Sequence, residues 1–179
     1  MPEWLRARLM DRRTVLLNGP LTDTTATEIA AQLMTLDASG DDPLGLQINS
    51  GDGTLSAGLT LMDTIAALGV PVEALCLGQA EGPALGVLAV SARRRASAHS
   101  RLRLCDREMS ASGSATELAA AVRCHRLLLE RFVEQVARAT GQPGERVEID
   151  VAAARYFELD EALDYRLIDE VWAKPGAPG

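Results

Sequence analysis

The stretch from Gln47 to Leu88 constrains the fold most, because QINSGDGTLSAGLTLMDTIAALGVPVEALCLGQAEGPALGVL reads as two strand-turn-helix units in tandem. An apolar run enters a polar, glycine-containing turn of Asn49, Ser50, Gly51, Asp52 and Gly53, the pattern of a strand handing its backbone to a tight loop. From Leu55 the apolar positions Leu55, Leu59, Met62, Ile65 and Ala66 recur at helical spacing, and Gly69 with Pro71 closes the pattern. Val72 to Leu77 is a second short apolar run. The turn Gly78-Gln79-Ala80-Glu81-Gly82 then leads into an apolar helix from Pro83 to Val90, with proline suited to the first helical turn. Two such units place both turns at the same edge of a parallel sheet. Helix N-termini and backbone amides converge at that edge, which is where α/β folds build their sites.

The flanking chain extends the same alternation. Pro2 to Arg13 predicts a short amphipathic helix with Trp4, Leu5, Leu9 and Met10 inward, followed by a strand at Val15 to Leu17 and a turn at Asn18-Gly19-Pro20. Thr22 to Thr25 offers caps for a helix whose inward face is Ile29, Leu33, Met34 and Leu36. Asp37 to Pro43 is a solvated loop before the strand Leu44 to Ile48. Arg93-Arg94-Arg95 reads as a solvated turn, and Leu102-Arg103-Leu104 alternates as a strand does. Gly113-Ser114-Ala115-Thr116-Glu117 opens the longest helix, about 25 residues, ending near Thr140-Gly141. A helix of that length exceeds what a small domain covers and suggests contact with another subunit. Gln142 to Glu145 is a turn, Asp160 to Leu163 a short helix and Leu167 to Trp172 a closing strand. Residues 1–172 are expected to be a single domain and 173–179, with two prolines and two glycines, a disordered tail.

Composition excludes several classes of function. At 179 residues and 47% apolar content the chain is long enough for one real core, and with 3% aromatics that core is mostly Leu, Ala and Val. A net charge of −7 argues against nucleic acid or an anionic membrane as partner. The opening residues MPEWLRARLMDRR are too charged for a signal peptide, and no apolar run reaches the roughly 18 residues of a membrane span, which predicts a cytoplasmic protein. Cys76, Cys105 and Cys124 read as buried structural thiols. With His99 and His125 the only histidines, no zinc spacing can be made and no metal or cofactor is expected.

The segments INSGDGTLSAGLTLMDTI and PVEALCLGQA resemble the ClpP proteolytic subunits of Clp proteases, whose pattern is I-N-S-P-G-G-x-x-x-A-G-x-x-I-x-D-T followed by P-V-x-T-x-C-x-G-x-A-A-S-M-G. LNGPLTDTTATEIAAQLMTLDA, GSATELAAAVRCHRLLLERFVEQVARATGQP and DEALDYRLIDEV extend the resemblance over most of the chain in order and spacing. It implies an α/β fold of ClpP and crotonase type, a repeated β-α-β superhelix in which the longest helix is the protruding handle that joins two rings. It also implies a serine peptidase site, and there the chain departs from the family. Gly82 stands at the position of the nucleophilic serine, Cys105 at that of the histidine in I-H-Q-P, and Ala154 at that of the aspartate. Gly53 and Pro83 occupy the oxyanion-hole-like positions. A serine peptidase needs nucleophile, base and orienting acid together, so three vacancies imply a catalytically silent homologue, a pseudoprotease, acting as a structural or regulatory ring subunit.

Asp52 and Glu81 open an alternative. Both replace small neutral residues of the family pattern and both sit on turns at one edge, so two carboxylates can face one cleft and raise each other's pKa. The related crotonases use such a pair, and GPALG at Gly82 to Gly86 looks like their turn that supplies an oxyanion amide to an acyl thioester. Against it, Asp52 would repel an oxyanion formed beside Gly53. Cys105 is the one candidate thiol in the site, and an unactivated thiol, whose ordinary pKa is about 8.5, is mostly protonated at neutral pH, which argues against it as a nucleophile.

For assembly, the resemblance implies a homo-oligomer, a single sevenfold ring, with mixed rings alongside an active ClpP paralogue as a further option. The family's Y-x-Y-I-N-S aromatics line pockets for the partner ATPase, and this chain has Gly45 and Gln47 there. The chain also begins at the first helix, where the family carries axial loops. Both points argue against docking of a Clp ATPase. The family's D-R-D stretch, which pairs across stacked rings, has become Ala152-Ala153-Ala154, so weakened stacking is expected.

Overall fold

The computed structural model describes residues 3–106 and 112–172. The expected alternation is present. In chain order the elements are α1 (Glu3–Met10), β1 (Thr14–Asn18), α2 (Asp23–Asp37), β2 (Leu44–Ser50), α3 (Leu55–Ala67), β3 (Val72–Glu81), α4 (Pro83–Val90) and β4 (Arg93–Ser97). They continue with β5 (Arg101–Arg103), α5 (Ala115–Thr140), α6 (Gly144–Ala152), β6 (Tyr156–Phe157), α7 (Leu159–Asp164) and β7 (Glu170–Trp172). The main sheet runs β1-β2-β3-β4-β7 with every pairing parallel, and β5 adds parallel to the far end of β3 while β6 pairs antiparallel with β5.

Alternation along the strands explains which side is core. Leu44, Leu46 and Ile48 of β2 and Val72, Ala74 and Cys76 of β3 are fully buried, and they meet Ile29, Leu33 and Leu36 of α2 in one continuous apolar cluster. The capping threonines act as the sequence suggests: Thr22 Oγ1 accepts from the Thr25 amide and Thr54 Oγ1 from the Ala57 amide, each at 3.2 Å. α4 is the central helix, with Pro83 through Ala89 all buried. Its neighbours approach closely because glycine faces them. A Cβ built on Gly58 of α3 would lie 2.6 Å from Pro83 Cβ, and one on Gly86 would enter the Phe132 ring of α5.

Several expectations change. Trp4 is 67% exposed rather than inward, as is Met34 at 60%, and Ala66 is exposed too. α1 is a single short helix with one apolar side to cover, and α2 needs only Ile29, Leu33 and Leu36 to seal the sheet. Pro2, the Leu5 side chain and the tail 173–179 lie outside the described residues. The turn expected at Gly78 to Gly82 is instead a bend within β3. Gly78, at φ +109°, lets the strand switch partners from β4 (residues 73–76) to β5 (residues 79–81), and a Cβ there would meet Asn49 Oδ1 at 2.8 Å. Arg93-Arg94-Arg95 is not a solvated turn but the strand β4. Arg93 pairs with Glu170 at 2.8 Å, Arg95 with Glu73 at 3.2 Å, and Arg94 chelates Asp169 from the opposite side, so neighbouring strands neutralise the run. α6 and β6 were not foreseen. Cys124 is exposed on α5, whereas Cys76 and Cys105 are buried.

Candidate functional site

The C-terminal ends of β1, β2 and β3 lie side by side, as tandem parallel units require. The turn after β2 is strapped to the turn after β1. Leu21 N–H donates to Asp52 O (2.8 Å) and Thr54 N–H donates to Leu21 O (3.0 Å), which brings Gly53 so close to Leu21 that a Cβ would meet its carbonyl oxygen at 2.8 Å. A cleft of about 430 Å³ opens over this edge, lined by Gly19, Pro20, Gly51, Asp52, Gln79, Glu81, Arg101 and Tyr156.

Asp52 and Glu81 therefore do border one cleft, but their surroundings differ. Glu81 is only 7% exposed and sits between two guanidinium groups, Arg103 at 3.7 Å and Arg101 at 3.8 Å. β3 and β5 pair Gln79 with Arg101 and Glu81 with Arg103, so the strand register itself supplies the countercharges. Arg103 is held in turn by stacking over the Tyr156 ring (4.8 Å) and by donating from Nε to Ala154 O (3.2 Å). Two guanidinium groups thus flank the Glu81 carboxylate on its own strand pair. Asp52 Oδ1 accepts the Gly53 N–H at 2.7 Å.

Gly82 forms the junction between β3 and α4, with φ 53° and ψ −121°, a conformation side chains rarely adopt. Its N–H donates to Arg103 O (2.9 Å), and its own carbonyl accepts from the Leu85 and Gly86 amides at 3.0 and 3.2 Å. A Cβ at Gly82 would sit 2.9 Å from Cys105 O and 3.4 Å from Cys105 Sγ. Leu104 N–H donates to Arg155 O (2.9 Å), which ties the Cys105 segment to the turn holding Ala154, itself at φ 49°. Gly82, Cys105 and Ala154 thus gather around the end of β5. Neither Gly53 nor Pro83 offers an open amide: the Gly53 N–H is engaged by Asp52, and a prolyl nitrogen carries no hydrogen.

A family model described as Clp protease matches residues 3–175. The chain belongs to the Clp protease family. Its mixed α/β fold, with a sheet of seven strands, is that of a ClpP-like protein. Among the described residues of this Clp protease family member no helix is long and apolar enough to cross a membrane.

Two features of the site escaped the sequence. The Arg101, Arg103 and Tyr156 setting of Glu81 depends on β5 pairing with β3, and the alternation Arg-Leu-Arg opposite Gln-Ala-Glu was the available signal. The second is His125, whose Nε2 lies 2.7 Å from Asp106 Oδ2, so a histidine does bond to the residue that follows Cys105. Elsewhere burial pushes the Cys76 thiol up to about 11, against a smaller opposing pull from Ser100, so this cysteine stays protonated at neutral pH.

Proposed function

We propose that this Clp protease family member is a catalytically silent subunit of a cytoplasmic homo-oligomeric ring, with a structural or regulatory role that extends to mixed rings with an active ClpP paralogue. The observation that carries the proposal is the β3–α4 junction. It holds Gly82 in a conformation that side chains rarely adopt, and the Cys105 carbonyl stands 2.9 Å from where a Cβ would be, so the junction fits a glycine and has no room prepared for a nucleophilic side chain. The resemblance puts Cys105 and Ala154 where a peptidase carries its histidine and aspartate, and neither serves as that base and orienting acid. Among the described residues the Gly53 N–H is engaged by Asp52 and Pro83 has no N–H to offer an oxyanion, which supports the silent reading. The acyl-thioester alternative gains nothing from the geometry, because Glu81 is held by Arg101 and Arg103.

The purified chain is expected to leave fluorogenic peptides uncleaved above background and to take up no serine-reactive fluorophosphonate. Stoichiometric labelling, or turnover that a serine-directed inhibitor abolishes, would sink the proposal.

A further inference from the structure

The first half of α5 projects from the body of the molecule. Residues 115–120 are exposed on every side, and the inward stripe then runs Ala121, His125, Leu128 and Leu129, each half-buried, before Phe132 and Val136 become fully buried. A helix leaving a core normally keeps apolar residues on its inner face up to the last contact. Here the point of departure is marked by a histidine. His125 Nε2 lies 2.7 Å from Asp106 Oδ2, and the two side chains are 27% and 22% exposed. Asp106 Oδ1 is buried and has no hydrogen-bond partner among the described residues, so the imidazole is the side-chain partner they give this carboxylate. One turn to either side of His125 stand Ala121, Val122, Leu128 and Leu129, none of them charged, while Arg126 lies on the solvent side beside Glu130 at 3.7 Å. Arg107 and Glu108 lie outside the described residues. An ionised carboxylate only accepts, so Nε2 must carry the hydrogen.

Asp106 directly follows Cys105, whose carbonyl and thiol close the space beside Gly82. We propose that the Asp106–His125 pair is a clasp fastening the segment that leaves β5 to the root of the projecting half of α5, and that it thereby keeps Cys105 pressed against the β3–α4 junction. The clasp is independent of whether the chain is catalytically silent. It makes the exposed end of α5 and the buried junction mechanically continuous through one hydrogen bond.

The chain's own thiols report on it. In a Cys124→Ser background, which removes the exposed thiol, iodoacetamide labelling is followed at Cys105 and at Cys76 by peptide mass spectrometry. Asp106→Ala and His125→Ala should each speed labelling of Cys105 about tenfold, the double variant no more than either alone, with Cys76 unchanged. An unchanged Cys105 rate, a double variant showing the product of the single effects, or Cys105 and Cys76 rising together would each overturn the clasp. Nitrogen NMR of the parent protein gives a test that needs no variant: a neutral His125 protonated at Nε2, or a doubly protonated ring, supports the pair, and protonation at Nδ1 alone refutes it.

Discussion

Gly82 stands where β3 gives way to α4. Its dihedral angles are uncommon for any side chain, and its missing Cβ is what lets the Cys105 carbonyl pass beside it. Gly82→Ser therefore adds an atom into a 2.9 Å contact and forces a substituted residue into a sparsely populated region. The expected loss is roughly 1–3 kcal/mol, a fall in melting temperature of about 3–10 °C for a chain of this size. No peptidase activity should appear, since a serine without base and orienting acid gains little. Differential scanning calorimetry reads the first effect and a peptide assay the second. A serine variant as stable as the parent would mean that the segment after β5 yields easily, contrary to the close packing described.

At the scale of elements, strand β4 shows how three consecutive arginines become part of a sheet. Arg93 and Arg95 face Glu170 and Glu73, while Arg94 turns to the other side, binds both carboxylate oxygens of Asp169 and donates to Arg166 O and Ala139 O. The Arg94 side-chain hydrogen bonds, with the Arg94 amide adding to them, hold the Asp169 carboxyl below its ordinary value of 3.8. A carboxyl lowered on folding stabilises the fold above its unfolded titration, and that contribution is lost as pH falls through the folded value. Asp169→Asn should thus cost about 1 kcal/mol near pH 7, a figure kept low because the side chain is 39% exposed. The gap between variant and parent should begin to narrow below about pH 4, where the unfolded carboxyl takes up protons, and close as pH falls through the lower folded value. Urea denaturation across pH 3 to 7 checks this, and a difference that persists unchanged into acid would assign the loss to packing rather than to the ion pair.

At the scale of the whole molecule, the projecting half of α5 leaves Leu118, Val122 and Leu127 exposed among the described residues. A Ser114–Glu117 capping box and a left-handed Gly141 hold both ends of this 26-residue helix, so it is built to stand alone until something covers it. For the proposed ring subunit the resemblance implies one ring of about seven copies of the 19.1 kDa chain, and weakened stacking, with Ala152 and Ala153 standing in place of the family's ring-to-ring charges. Mass photometry decides it. A persistent double ring would refute the weakened stacking, and a monomer at micromolar concentration would refute the ring.

Local rules in the sequence determined the order of elements. Thr22 and Thr54 cap, Gly69 and Pro71 terminate and Pro83 starts α4, all from neighbours within a turn or two, while the resemblance from Gln47 to Leu88 singled out Gly82. Tertiary structure decided whatever depends on residues distant in the chain. Arg93–Arg95 became a strand because Glu73, Glu170 and Asp169 arrive from β3 and the closing segment, across separations of 22 to 77 residues that no local pattern encodes. Glu81 gained Arg101 and Arg103 as neighbours because Gly78 bends β3 onto β5 and brings them alongside. His125 gained a partner only because α5 folds back past the end of β5 and presents it to Asp106. Periodicity reports which face of an element is buried, whereas the identity of a charged group's counterion is set by strand register and helix docking, and these exist only once the chain has closed on itself.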